Sequence, residues 1–289
     1  MNRFSPSDAA LEGFRLVRER PGTILIWSGL YFIGVMIISL IMVFSLGADF
    51  ISFIRDGGME TGDAAAFGKA LEHSWPAFIL VLLLVVVLAS VLSGGVYRLV
   101  LRPDEPGVAH LRLGADELRL TVVNIVLYSV GTFFLFFLVL AAGLLGKTAG
   151  LGGVLSGLVI AGAMIWIGVR FLLATPMTFG ERRIAIRQSW RLTRGRFWPL
   201  FGMSILALIF YVIVWLLFSI IGAAFVALAG GQSAMQDPSQ LGGFAIVAFV
   251  LTLVVQLLLP VLQVVMLYAP LAVAYRDLTR PEGVEADTF

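Results

Sequence analysis

Few residues in this 289-residue sequence could do covalent or acid–base chemistry. There is no cysteine, so there is no disulfide, thiolate metal ligand or thiol nucleophile. There are two histidines, His73 and His110, and the topology derived below assigns them to opposite sides of a membrane. Two adjacent carboxylate pairs occur, Asp104-Glu105 and Asp116-Glu117. Neighbouring residues on a helix point apart, so these acids are expected to balance Arg102, Arg112 and Arg119 rather than form a general acid–base pair. No HExxH, P-loop or G-x-S-x-G spacing is present. The expectation is a non-enzymatic chain with no metal site and no cofactor.

What the sequence does have is arginine. Arg183, Arg187, Arg191 and Arg194 recur at helical spacing beside an apolar line of Ile186, Trp190, Thr193 and Phe197. A helix with such faces lies in a headgroup layer and turns its guanidinium groups toward phosphate. Arginine binds phosphate through a planar fork that lysine lacks. These four residues are therefore the candidate lipid-headgroup site, with anionic phospholipid as the expected partner.

The elements that would position them follow from composition. Hydrophobic residues make up 60% and charged residues 13% of the chain, and mean hydropathy is +0.99. A soluble domain carries roughly 25% charge, so a water-soluble globule and a disordered chain are both excluded. A bilayer core of ~30 Å takes about 20 apolar residues per helix. Uncharged runs of that length cover residues 21–48, 74–97, 120–146 and 148–169; two more lie between Arg196 and Asp237 and between Asp237 and Arg276. Backbone groups in lipid must be paired internally, and barrel-type alternation is missing, so the spans are read as helices. The long, charged N-terminal lead-in is not that of a cleaved signal peptide. The fold class is all-α: a single polytopic membrane domain over residues 1–289.

Charge sets the orientation. With six spans, residues 1–20, 98–119, 170–196 and 276–289 share one side and hold 17 of the 20 Lys and Arg residues. Only Arg55, Lys69 and Lys147 fall on the other side. The positive-inside rule assigns the arginine-rich side and both termini to the cytoplasm. The basic balance is thus a topology signal, and nucleic-acid binding is not needed to explain it.

The chain also reads as three two-helix repeats, at about residues 1–104, 105–178 and 179–289, each with a cytoplasmic amphipathic lead-in helix. Phe14-Arg15-Leu16-Val17-Arg18-Glu19-Arg20 matches Trp190-Arg191-Leu192-Thr193-Arg194-Gly195-Arg196, and Leu118-Arg119-Leu120-Thr121 is a shorter version. Tyr97-Arg98 with Arg102-Pro103 matches Tyr275-Arg276 with Arg280-Pro281. In the first lead-in, Ala10, Phe14 and Val17 are expected on the apolar face.

Inside the spans, Asn124, Gln256 and Gln263 are the polar residues, suited to interhelical bonds or a polar path. Gly153 and Gly157 form a GxxxG pair suited to helix packing. Most of the six tryptophans lie near span ends, as interface anchors do.

One segment carries a family resemblance. Val169-Arg170, Pro176, Glu181, Ala185, Ser189-Trp190, Leu192-Thr193, Gly195 and Phe197-Trp198 resemble the six-helix membrane domain attached to some bacterial glycerophosphodiester phosphodiesterases, and its free-standing relatives. The resemblance implies a bacterial inner-membrane protein linked to envelope or lipid biology. It does not imply hydrolysis, because no segment outside the spans is long enough to form a catalytic domain. The leading expectation is a scaffold or accessory protein whose basic cytoplasmic collar contacts anionic lipid. The alternative is a permease or lipid-handling transporter with a path along the sixth span.

Overall fold

The computed structural model describes residues 4–45, 47–57, 67–69, 72, 74–105, 109–146, 151–228 and 243–279. Six helices are long and apolar enough to cross a membrane: Pro21–Ser45, Trp75–Leu101, Ala115–Leu140, Gly157–Glu181, Phe197–Leu228 and Ile246–Thr279. The chain is an all-α polytopic membrane protein. Of the Gly-rich run 146–153, residues 147–150 lie outside the described residues, as do Gly230-Gly231, Asp237-Pro238 and His73.

The first helix, α1 (Pro6–Glu19), starts where Ser5 accepts the backbone N–H of Asp8 at 3.4 Å and proline takes the first helical position. Its buried face is Ala9, Ala10, Gly13 and Leu16. These small residues let α1 seat against the last helix, α10 (Gly243–Thr279). A Cβ added at Gly13 would stand 2.7 Å from Met266 Cα. This corrects the expected face: Ala10 is buried against protein, but Phe14 is 38% exposed and stands edge-on to Phe210 at 5.4 Å. The small residues took the buried face because two backbones approach here.

The spans α2 (Pro21–Ser45) and α4 (Trp75–Leu101) flank α10, with the short α3 (Gly47–Arg55) between them in sequence. Next, α5 (Ala115–Gly146) and α6 (Leu151–Phe171) pair with each other. The chain continues through α7 (Ala174–Glu181), α8 (Ile186–Leu192) and α9 (Phe197–Leu228), and α9 packs along α10. At 1.5 Å per residue α9 and α10 are ~48 and ~55 Å long, well beyond a bilayer core of ~30 Å. Pro260 and Pro270 stand inside α10. Each lacks an N–H, which leaves the carbonyls of Gln256 and Met266 without their helical donors.

One core cluster joins these spans at the arginine-rich end. It holds Trp27, Tyr97, Leu120, Phe179, Leu200 and Val265, among others. Toward the opposite end the same helices turn Phe44, Val139, Ile220 and Leu228 outward, as surfaces facing lipid do. A smaller aromatic cluster of Phe50 and Phe53, with Phe67 and Phe78 against it, closes the loop after α2.

The lead-ins differ from one another. The first is α1. The second has no helix among its described residues: Ala109 and His110 both have positive φ, at 51° and 61°, in a turn before α5. The third is broken. Arg182, at φ 54°, ends α7, and Gly195, at φ 79°, separates the seven-residue α8 from α9. The expected single amphipathic helix carrying four arginines is therefore corrected to a short helix between two turns. Side-chain bonds to backbone outcompete continuous helix here: Thr178 Oγ1 accepts the Ala185 N–H at 3.2 Å, and Ser189 and Thr193 donate to the Arg170 carbonyl at 2.9 and 3.3 Å.

Candidate functional site

The arginine stripe is divided by these turns. Arg183 precedes α8 and pairs with Glu181 at 2.8 Å. Arg187 and Arg191 lie on α8, and Arg194 lies in the turn after it. All four are exposed. Among the described residues no ion pair involves Arg187, Arg191 or Arg194. Trp190, expected on a lipid-facing line, packs instead on α6, 5.3 Å from both Trp166 and Phe171.

Arg170, part of the segment that carries the family resemblance, packs against both indoles, which themselves meet edge to face. Its guanidinium carbon is 5.0 Å from the Trp166 ring centroid and 5.6 Å from that of Trp190. Its Nε and Nη1 are buried without a hydrogen-bond partner. The ring faces attract the cation, by about 0.5–2 kcal/mol each, but supply no acceptor. The spacing of Trp166 and Arg170, four apart on one helix, was the available signal.

The acids balance more than the expected arginines. Arg98 is 2% exposed and ion-paired with Glu117, Nη2 to Oε1, at 2.5 Å. Its Nη1 donates to the His110 carbonyl at 2.6 Å, and its Nε lies 3.5 Å from Glu105 Oε2. The other Glu117 oxygen accepts the Gly114 N–H at 3.0 Å. Arg102 pairs with Asp116 and Glu105, and donates to the Phe179 and Gly180 carbonyls at 2.7 and 3.2 Å. It thereby satisfies the free C-terminal carbonyls of α7. Arg119 pairs with Asp116 at 2.7 Å, and Arg182 with Glu105 at 2.9 Å. Trp27 donates to the Ala109 carbonyl at 2.8 Å, so this tryptophan is a buried strut rather than an interface anchor. The left-handed pair Ala109 and His110 thus aims one carbonyl at Trp27 and the next at Arg98. This network locks α2, α4, α5 and α7 together. It holds no arrangement of three metal-ligating side chains among the described residues.

Next to it, α5, α6, α9 and α10 enclose a cavity of about 470 Å³. Its lining is apolar except for Asn124, Tyr128, Thr175, Ser204 and Tyr268. Those polar groups are already engaged. Asn124 Nδ2 donates to Ser90 Oγ at 2.9 Å, which ties α5 to α4. Thr175 shares a hydrogen bond of 2.6 Å with Tyr97, Ser204 donates to the Leu200 carbonyl at 2.9 Å, and Tyr128 bonds Tyr268. Tyr128 and Leu208, 44% and 45% exposed, stand at the lip, so the cavity opens toward the surrounding lipid.

The other residues expected inside the spans are placed elsewhere. Gln256 and Gln263 are exposed on α10 and do not line the cavity; Gln263 accepts from the Tyr211 hydroxyl at 3.4 Å. At Gly157 a Cβ would meet nothing within 4 Å, so among the described residues that glycine packs closely against no other helix. The surroundings of Gly153 lie outside the described residues.

Searches for similar proteins return nothing that matches this chain, whether among protein-family models, curated proteins or solved structures.

Proposed function

We propose that this chain is a non-enzymatic scaffold or accessory protein of a bacterial inner membrane, with its arginine-rich end and both termini in the cytoplasm, where it engages anionic lipid. The observation that carries the reading is the division of labour among the arginines. Arg98, Arg102, Arg119, Arg182 and Arg183 pair with four carboxylates, Glu105, Asp116, Glu117 and Glu181. Arg187, Arg191 and Arg194 project from α8 and its following turn without such partners among the described residues. Each basic residue near an anionic surface contributes ~1 kcal/mol. The resemblance to the membrane domain of glycerophosphodiester phosphodiesterases and the threefold repeat belong to the same proposal. The alternative, a permease path along the sixth span, has less support, because Gln256 and Gln263 face away from the cavity.

The test reconstitutes the full chain in nanodiscs of mixed phosphatidylglycerol and phosphatidylcholine and measures the retained lipid. Replacing Arg187, Arg191 and Arg194 together by Gln should lower phosphatidylglycerol enrichment several-fold. Equal enrichment in wild type and variant refutes the collar.

A further inference from the structure

We infer that the cavity between α5, α6, α9 and α10 is a binding site for one acyl chain of a membrane glycerophospholipid. The inference rests on the reading of the chain as a lipid-engaging membrane protein, and it deepens that reading by naming a built site.

Three observations converge. First, the cavity volume of about 470 Å³ lies within the ~300–1,000 Å³ of ligand pockets. Second, its chemistry selects hydrocarbon. No ionisable acid or base lines it, and its few polar groups already bond to the protein. A polar solute entering would lose water contacts without replacement. Third, the cavity opens at Tyr128 and Leu208, both exposed on membrane-spanning helices. The apolar molecules at such an opening are lipid chains.

The structure also supplies a gentle way to close the cavity. Gly131 and Gly168 line it, and a Cβ at either meets nothing within 4 Å. Leucine at both positions starts from an unobstructed Cβ beside the space and should fill it. Gly157→Leu, likewise open but away from the cavity, is the matched control.

The experiment places the full chain in nanodiscs containing phosphatidylglycerol with a photoactivatable diazirine late in one acyl chain, and maps crosslinks by mass spectrometry. Wild type and Gly157→Leu should crosslink within residues 127–134 and 164–171. The Gly131→Leu, Gly168→Leu double variant should lose at least ten-fold of that signal while annular crosslinks elsewhere persist. Unchanged cavity crosslinks in the double variant overturn the proposal. Failure of the collar variants with cavity labelling intact refutes only the broader reading.

Discussion

Removing the Glu117 side chain should expose how much the buried charge network holds. Glu117→Ala leaves Arg98, 2% exposed, without its 2.5 Å partner, and leaves the Gly114 N–H without its acceptor. Breaking one side of a buried pair costs about 3–5 kcal/mol, mostly the penalty of the stranded charge. Two features pull the figure toward the lower end. Glu105 Oε2 stands 3.5 Å from Arg98 Nε, and the His110 carbonyl still accepts from Nη1. About 3 kcal/mol is therefore expected, or a fall in Tm of roughly 6–12 °C at ~2–4 °C per kcal/mol for a chain of this size. Glu117→Gln keeps one acceptor oxygen and should fall between wild type and Glu117→Ala. The double variant Arg98→Met, Glu117→Leu removes both charges and should recover most of the loss, since apolar replacement of a whole buried pair is often neutral. The assay is thermal unfolding in one detergent by near-UV circular dichroism, analysed as a double-mutant cycle. A Tm for Glu117→Ala within 1–2 °C of wild type, or a double variant with the summed loss of both singles, would refute the reasoning.

Other perturbations test the close approaches and the topology. Gly13→Val drives a side chain into the Met266 backbone, where even a Cβ stands 2.7 Å away; it should destabilise by about 1–3 kcal/mol and speed proteolysis within α1. Gly180→Ala sets a Cβ 2.5 Å from Tyr275 Cε1, and trimming the ring with Tyr275→Leu should recover part of the lost Tm; no recovery in the double variant means that the two do not touch. Cysteines placed singly at Gly58, Gly107 and Gln232 in this cysteine-free chain should label from outside the cell at Gly58 and Gln232 only, and external labelling of Gly107 overturns the orientation. The purified protein with glycerophosphodiesters and divalent metal should release no more product than a blank, whereas turnover that survives in the His73→Ala, His110→Ala double variant means that a catalytic site exists elsewhere.

Membrane class and span count were legible in the sequence because both depend on quantities summed along the chain. A run of apolar residues long enough to cross lipid has few alternatives to a helix, and 13% charge leaves too little polar surface for water. Helix starts such as Ser5-Pro6 were legible for the same local reason. The pairing of charges was legible only in part. Asp116 meets the expected Arg102 and Arg119, the latter three residues along the same helix, but its neighbour Glu117 meets Arg98, which the sequence did not suggest. Adjacent helical positions point about 100° apart, so the placement of α4 beside α5 decides which acid meets Arg98. The arginine stripe shows the converse. Its spacing suits one helix, but α8 runs only from Ile186 to Leu192 and leaves Arg183 and Arg194 outside it, since Thr178, Ser189 and Thr193 find better partners across the turns than along a helix. The cavity belongs wholly to the tertiary level. Gly131 and Gly168 are unremarked small residues in apolar runs until α9 and α10 stand off from α5 and α6, and a void has no sequence signature because it is made of what four separate helices leave unfilled.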